Sequence, residues 1–147
     1  MILSSLTPLT FMREIKMPSL VSILNSPEAS ISFLDVLSKD SFDSLLVTDA
    51  TPQGKIVYSN KAFKSLTGHD PASVIGKTPR ILQGPGTDKK VIARLAAALK
   101  TGGRFEGKAI NYKKNGTPFI MYWRVLPIKV GKQIIAWVAI QREGSVI

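Results

Sequence analysis

The sequence predicts an α+β domain in which five antiparallel strands form one sheet and helices cover one of its faces. Two strand-like segments open the domain and three longer ones close it, with helical segments between them. Asn115-Gly116 separates two of the longer segments and suits the positive φ of a tight hairpin turn. Strands and helices segregated in this way are typical of an antiparallel sheet rather than a parallel one.

The first 40 residues are predicted to be an N-terminal extension with an amphipathic helix, and residues 41–147 to be the domain. Ser26-Pro27-Glu28 is typical of a helix start, because proline suits the first turn and an acid suits the positive end of the helix dipole. The helix is predicted to end near Ser38. Its apolar face, which needs a partner, carries Ile31, Phe33, Leu34, Val36 and Leu37.

The first half of the domain pairs two predicted strands, residues 44–49 and 55–59, and continues into a short helix. Asn60 is predicted to cap that helix, because its side-chain oxygen accepts a hydrogen bond from a free backbone N–H group. Gly68 is predicted to end the helix, and a single helical turn follows as far as Gly76.

The second half begins with a longer helix, for which Thr87 is the predicted N-cap and Gly102-Gly103 the end. Three strands follow, over residues 104–114, 117–128 and 132–142. They complete the order of two strands, three helical segments and three strands.

The composition excludes several classes of chemistry. At 147 residues, with 44% hydrophobic and 20% charged residues, the chain is long enough to bury a core and ordinary for a globular protein. It contains no cysteine, which excludes disulfides, thiolate metal sites and cysteine nucleophiles and fits a cytoplasmic protein. With one histidine, His69, a multi-histidine metal site is excluded as well. No segment approaches the ~20 apolar residues of a bilayer span, so we expect no membrane contact.

The formal net charge of +10 is concentrated after residue 50. Residues 1–50 contain three Lys or Arg against six Asp or Glu, and the rest of the chain contains seventeen against four. Such a charge fits either binding to an anionic partner or a solvated, lysine-rich surface. We favour the solvated surface, because the charges are scattered and form no stripe along a helix. Nucleic acid is therefore not an expected partner.

Several motifs resemble, in the same order, those of the PAS superfamily and of its blue-light branch, the light-oxygen-voltage (LOV) domains. They are the segments Tyr58–Phe63, Leu66–Gly68, Gly76–Pro85, Asn111–Phe119, Pro127-Ile128 and Ala139–Arg142. The resemblance covers about residues 44–143 and implies the PAS fold, with a flavin, FMN, as the expected cofactor. Gly76–Pro85 resembles the segment that contacts flavin in LOV domains, where the pattern is Gly-x-Asn-Cys-Arg-Phe-Leu-Gln.

Pro79 occupies the position at which LOV domains carry the cysteine that bonds to flavin. Proline has no thiol and the chain has no cysteine, so the cysteinyl adduct of the family is excluded. The resemblance then implies that light or a redox change acts through reduction of a bound flavin.

The resemblance implies six cofactor-binding residues, which are Thr78, Arg80, Gln83, Asn111, Met121 and Gln141. The three amides keep the donors and acceptors that a flavin edge needs, and we expect them in one pocket with Arg80 at its mouth, near the flavin phosphate. Thr78 and Met121 replace family asparagines, and Ala96 replaces a second family arginine. Each amide also has a purely structural interpretation. Asn111 would satisfy backbone groups at a strand edge, Gln141 would be a polar residue on a sheet face, and Gln83 would cap a short helix.

The histidine and the two tryptophans have simpler interpretations. In haem-binding PAS domains the ligand histidine lies on the long helix, so His69 is predicted to be a surface residue. Trp123 and Trp137, both on predicted central strands, are expected in sheet packing or on a dimer surface. No metal site is expected.

We expect a stand-alone LOV-like PAS sensory or signalling domain that binds FMN non-covalently and signals through a homodimer or through contacts with a partner. The alternative is a cofactor-free PAS domain for dimerisation or protein interaction. The sequence shows no carboxylate pair, nucleophile–base set or phosphate loop, so we do not expect an enzyme. The colour of the purified protein separates the two hypotheses.

Overall fold

The computed structural model of the chain describes residues 26–145. Its elements are helix α1 (Pro27–Ser38), strands β1 (Ser44–Asp49) and β2 (Ile56–Ser59), helix α2 (Lys61–Thr67), two 3₁₀ turns (Pro71–Val74 and Pro79–Leu82), helix α3 (Lys89–Lys100), and strands β3 (Phe105–Tyr112), β4 (Pro118–Val130) and β5 (Gln133–Glu143). The chain divides into two units at the junction of Leu37 and Ser38, and the second unit contains every one of these strands.

All five strands lie in one antiparallel sheet, in the order β2-β1-β5-β4-β3, which confirms the predicted fold class. The hairpin at Asn115-Gly116 joins β3 to β4, and Gly116 has the positive φ, 88°, that the prediction requires. The first and last strands are neighbours inside the sheet. Their residues Ser44 and Gln141 are therefore paired in register.

The core is a cluster of buried apolar side chains from the strands, α2 and both 3₁₀ turns. Its members are Leu46, Ile56, Phe63, Val74, Leu82, Phe105, Ala109, Phe119, Met121, Trp123 and Val125. Complete burial of one large apolar side chain contributes about 1.5–3 kcal/mol. Trp123 is 6% exposed and its ring lies 5.3 Å from that of Phe105. Of its two predicted roles, Trp123 therefore has the packing role.

Both caps of α2 match the prediction, whereas the N-cap of α3 does not. Asn60 accepts a hydrogen bond from the backbone N–H of Phe63, and Gly68 ends the helix with a φ of 79°. Helix α3 is capped by Asp88, whose side chain accepts a bond from Lys90 N. The residue predicted for that role, Thr87, uses its hydroxyl in the contacts described below.

Helix α1 occupies the predicted residues, Pro27–Ser38. Near its end the side chains of Val36 and Leu37 are 69% and 64% exposed, and Phe33 is half-buried. The predictions for residues 1–25 lie outside the described residues. No helix in the described part of the chain is long and apolar enough to cross a membrane.

Candidate functional site

A cavity of about 490 Å³ lies among the β1–β2 connection, the 3₁₀ turn Pro79–Leu82, helix α3 and strand β5. We call it the first cavity. Its volume falls within the range of about 300–1,000 Å³ that is usual for small-molecule sites. Most of its accessible wall is apolar, with several polar side chains among it, as is typical of such sites.

The first cavity is lined by four consecutive or nearby residues of one segment, Thr78, Pro79, Arg80 and Gln83. Backbone hydrogen bonds fix this segment to the edge of β2, because Ile56 N donates to Lys77 O at 2.7 Å and Gly76 N donates to Ile56 O at 2.8 Å. Pro79 occupies the first turn of the 3₁₀ helix, a position that requires no N–H group. Four residues of the predicted flavin segment therefore share one wall.

The charged groups that line the first cavity are Arg80, Lys100 and Asp49. Hydrogen bonds, chiefly from the Thr51 hydroxyl, hold the pKa of the Asp49 carboxyl below its usual value. Asp49 is therefore ionised near neutral pH, and the cavity carries two positive charges against one negative charge. The excess positive charge favours a ligand with an anionic group.

The apolar side of the first cavity comes from one face of α3 and from Trp137. Ile92, Leu95, Ala96 and Leu99 form the helix face. Trp137 is partly buried and also packs against the core, so it lines the cavity in addition to its predicted role in sheet packing. A wall of this kind suits a flat aromatic ligand.

The other three predicted site residues are buried but do not line the first cavity. The amide nitrogen of Asn111 donates to the Met121 sulfur at 3.2 Å. The amide oxygen of Gln141 accepts a bond from the Ser44 hydroxyl at 2.9 Å. The structure thus brings Thr78, Arg80 and Gln83 together and places the remaining three in two separate contacts. Whether all six contact one ligand stays a prediction.

A short loop, Gly84–Thr87, links the two walls of the first cavity and is fixed to β3. Gly86 N donates to the Tyr112 hydroxyl at 2.7 Å, and the Thr87 hydroxyl donates to Ile110 O at 2.7 Å. A Cβ atom on Gly84 would lie 2.4 Å from the Tyr112 ring. This contact was not predicted from the sequence. The two glycines of the loop were the available signal, because glycine allows a side chain such as Tyr112 to approach the backbone closely.

His69 is partly exposed. Its ring lies 6.4 Å from that of Phe63, at the end of α2. Burial, followed by the positive charges of Lys114 and Lys77, lowers the pKa of His69. No cluster of three or more His, Cys, Asp or Glu side chains suited to a metal ion occurs within residues 26–145.

The donor set of the first cavity fits a flavin. The apolar face of α3 and Trp137 suits the ring system, Thr78 and Gln83 supply polar contacts for its edge, and Arg80 and Lys100 suit a phosphate. Pro79 supplies no group able to form a covalent bond to it.

One plant protein and one bacterial protein contain a segment similar to this chain. Phototropin-2 of Oryza sativa subsp. japonica is 38% identical over 113 residues, which are 73% of this chain and 12% of that protein. A blue-light-activated histidine kinase of Brucella anthropi is 39% identical over 85 residues, which are 58% of this chain and 17% of that protein. This chain therefore matches a small part of each relative.

Two solved structures have a similar fold. One, from a study of a flavin analogue and the LOV domain mechanism, has a TM-score of 0.70 and 25% identity and covers 80% of this chain and 86% of that one. The LOV domain of a blue-light activated histidine kinase from Erythrobacter litoralis has a TM-score of 0.66 and 30% identity, over 69% of this chain and 94% of that one. The sequence model of the PAS domain family matches residues 43–143. The chain therefore belongs to the PAS domain family.

Proposed function

We propose that this chain is a LOV-type sensory domain that holds FMN non-covalently in the first cavity. The observation that carries the proposal is that Thr78, Arg80 and Gln83, which the resemblance assigns to flavin, line one cavity of about 490 Å³. The similarity to phototropin-2 and to the LOV structures supports it. A bound flavin would supply absorption of blue light and redox chemistry.

The residues of the cavity have distinct roles in this proposal. Arg80 and Lys100 pair with the phosphate, and Thr78 and Gln83 hydrogen-bond the polar edge of the ring. Leu95, with the neighbouring apolar residues of α3, excludes water from the ring. Because Pro79 has no thiol, light leaves the protein–flavin contact non-covalent.

The test is the absorbance spectrum of the purified full chain, followed by identification of the compound released on heating. We expect a blue-absorbing band and FMN. Arg80→Gln is expected to raise the Kd for FMN about tenfold while changing that for riboflavin little, because riboflavin lacks the phosphate. Lys77→Gln removes a neighbouring charge that does not line the cavity and is the matched control. Equal effects of both substitutions would contradict the phosphate role of Arg80.

A cofactor-free interaction domain is the second candidate, and one observation favours it. The buried amides of Asn111 and Gln141 already have protein partners, Met121 and Ser44, and do not line the first cavity. A colourless protein that takes up neither FMN nor riboflavin when either is added would support this candidate and overturn the flavin proposal.

A further inference from the structure

Trp137 differs in chemistry from the other residues that line the first cavity. Those residues carry aliphatic, hydroxyl, amide, carboxylate or cationic groups, or are proline or glycine, and none of these groups gives up an electron readily. An indole ring does so much more easily. Among residues 26–145, Trp137 is therefore the one oxidisable side chain in the wall of this cavity.

The other side chains able to give up an electron lie away from the first cavity in the described part of the chain. They are Tyr58, Tyr112, Tyr122, Met121 and Trp123. Trp123 is the second of the two tryptophans of the chain and is buried against Phe105 in the core. A ligand in the first cavity thus meets the indole of Trp137 and not that of Trp123.

The charges of the first cavity favour movement of an electron from Trp137 to a ligand. Arg80 and Lys100 stabilise a negative charge that is added to the ligand. Asp49 follows Thr48, which is the in-register partner of Trp137 on β1, and its ionised carboxylate stabilises a positive charge on the indole. Both effects lower the free energy of the charge-separated state.

We propose, on the basis of the flavin site inferred above, that Trp137 gives one electron to the light-excited flavin. The indole is then oxidised by one electron and the flavin is reduced by one. Oxidation makes the indole N–H acidic, and its proton passes to water, because the side chain is partly exposed. Return of the electron and the proton restores the starting state. The reaction needs no thiol, so it suits a chain with Pro79 at the adduct position.

The position of Trp137 in the sheet gives this reaction a place to act on the protein. Trp137 lies on β5, the middle strand, and is paired in register with Thr48 of β1 and Pro127 of β4. A change of charge on its ring therefore arises between two neighbouring strands rather than at an outer edge of the sheet.

The first test compares the fluorescence of FMN bound to the full chain and to three variants. An electron donor beside the flavin quenches its fluorescence, so Trp137→Phe is expected to brighten bound FMN severalfold while changing its Kd little. Trp137→Tyr keeps an oxidisable ring and is expected to leave the fluorescence quenched, which a packing role alone does not explain. Trp123→Phe removes the tryptophan that does not line the cavity and is the matched control, with no change expected.

The second test is flash spectroscopy of the FMN-loaded Trp123→Phe chain, in which Trp137 is the only tryptophan. We expect oxidised indole to appear as the flavin absorbance falls, and both signals to recover together in the dark. This test decides alone if Trp137→Phe does not fold, and the fluorescence test decides alone if Trp123→Phe does not.

The outcomes separate this proposal from that of the flavin site. A chain that takes up neither FMN nor riboflavin overturns both. Bound FMN that is equally fluorescent in the unchanged and Trp137→Phe chains overturns only the role of Trp137. So does a flash that bleaches the flavin of the Trp123→Phe chain without producing oxidised indole.

Discussion

Asn60 joins three segments of the domain through one buried side chain, and we expect Asn60→Ala to destabilise the fold by about 2–3 kcal/mol. Its amide oxygen accepts bonds from Leu45 N at 2.9 Å and Phe63 N at 3.2 Å. Its amide nitrogen donates to Ser38 O at 3.3 Å and to Asp43 O at 3.0 Å. The side chain is 3% exposed.

The magnitude follows from the burial of these four bonds. The bonds to Phe63 N and Ser38 O are buried. Both partners keep a backbone bond, with Asn60 O at 3.2 Å and with Ser41 N at 3.1 Å, so each lost bond costs about 0.5–1 kcal/mol. The bonds to Leu45 N and Asp43 O are partly buried, and water replaces Asn60 there at a cost of about 0.5 kcal/mol each. The sum is a large fraction of the ~5–15 kcal/mol by which a domain is usually stable.

The assay is urea unfolding of the full chain, followed by tryptophan fluorescence. Asn60→Ser keeps a helix cap but cannot make all four bonds, so it is expected to lose about half as much stability as Asn60→Ala. Lys61→Ala changes an exposed neighbour and is expected to stay within about 0.5 kcal/mol of the unchanged protein. If Asn60→Ala costs less than about 1 kcal/mol, or no more than Asn60→Ser, the residue is only a helix cap and the reasoning from its other three bonds is refuted.

Four further outcomes are expected. Gly84→Ala should destabilise the domain by about 1–3 kcal/mol in the same assay, because its Cβ would lie 2.4 Å from the ring of Tyr112; an unchanged midpoint would show that the ring moves freely. The folded protein lowers the pKa of His69 from its usual 6.5, so the unfolded chain binds a proton more readily and the free energy of unfolding should fall as the pH drops below that value. His69→Gln should reduce this slope, and an identical pH profile would contradict the assignment. If all six predicted residues contact one flavin, Met121→Asn should increase retention of FMN in protein expressed alike, because it restores a family amide; the ratio of flavin to protein absorbance measures this. Equal occupancy would remove this position from the flavin site, as the lining of the first cavity, which excludes Met121, implies. In light scattering at tens of micromolar, the full chain should be a homodimer and a chain shortened to begin near Ser41 a monomer, because α1 ends in exposed apolar side chains; a monomeric full chain would refute this.

Elements that depend on neighbours in sequence were predicted well. The cap at Asn60, the end at Gly68 and the hairpin at Gly116 each follow from the local conformational preference of one residue, and the structure confirms all three. The pairing of β1 with β5 joins residues 97 positions apart, such as Ser44 and Gln141. Alternation of apolar residues contains no information on that pairing, and it was not predicted from the sequence.

The cap of α3 shows why adjacent candidates are hard to separate. Thr87 and Asp88 both have side-chain oxygens suited to the N-cap, and local preference ranks them almost equally. The tertiary structure decides between them. The Thr87 hydroxyl donates to the carbonyl oxygen of Ile110, and Asp88 caps the helix. The partners of Asn111 and Gln141 were unpredictable for the same reason, since a buried amide bonds to whichever group the fold brings near it.

The two walls of the first cavity are attached to opposite edges of the sheet. The wall at Thr78 is bonded to β2 through Ile56, and helix α3 is bonded to β3 through Arg94, whose guanidinium donates to Glu106 O at 3.1 Å. β2 and β3 are the two outer strands. In the proposed function, a flavin that drew the walls together would act on both edges of the sheet at once, and this coupling would not require a covalent bond to it. The absence of a thiol at Pro79 removes the adduct but none of these hydrogen bonds between the walls and the outer strands.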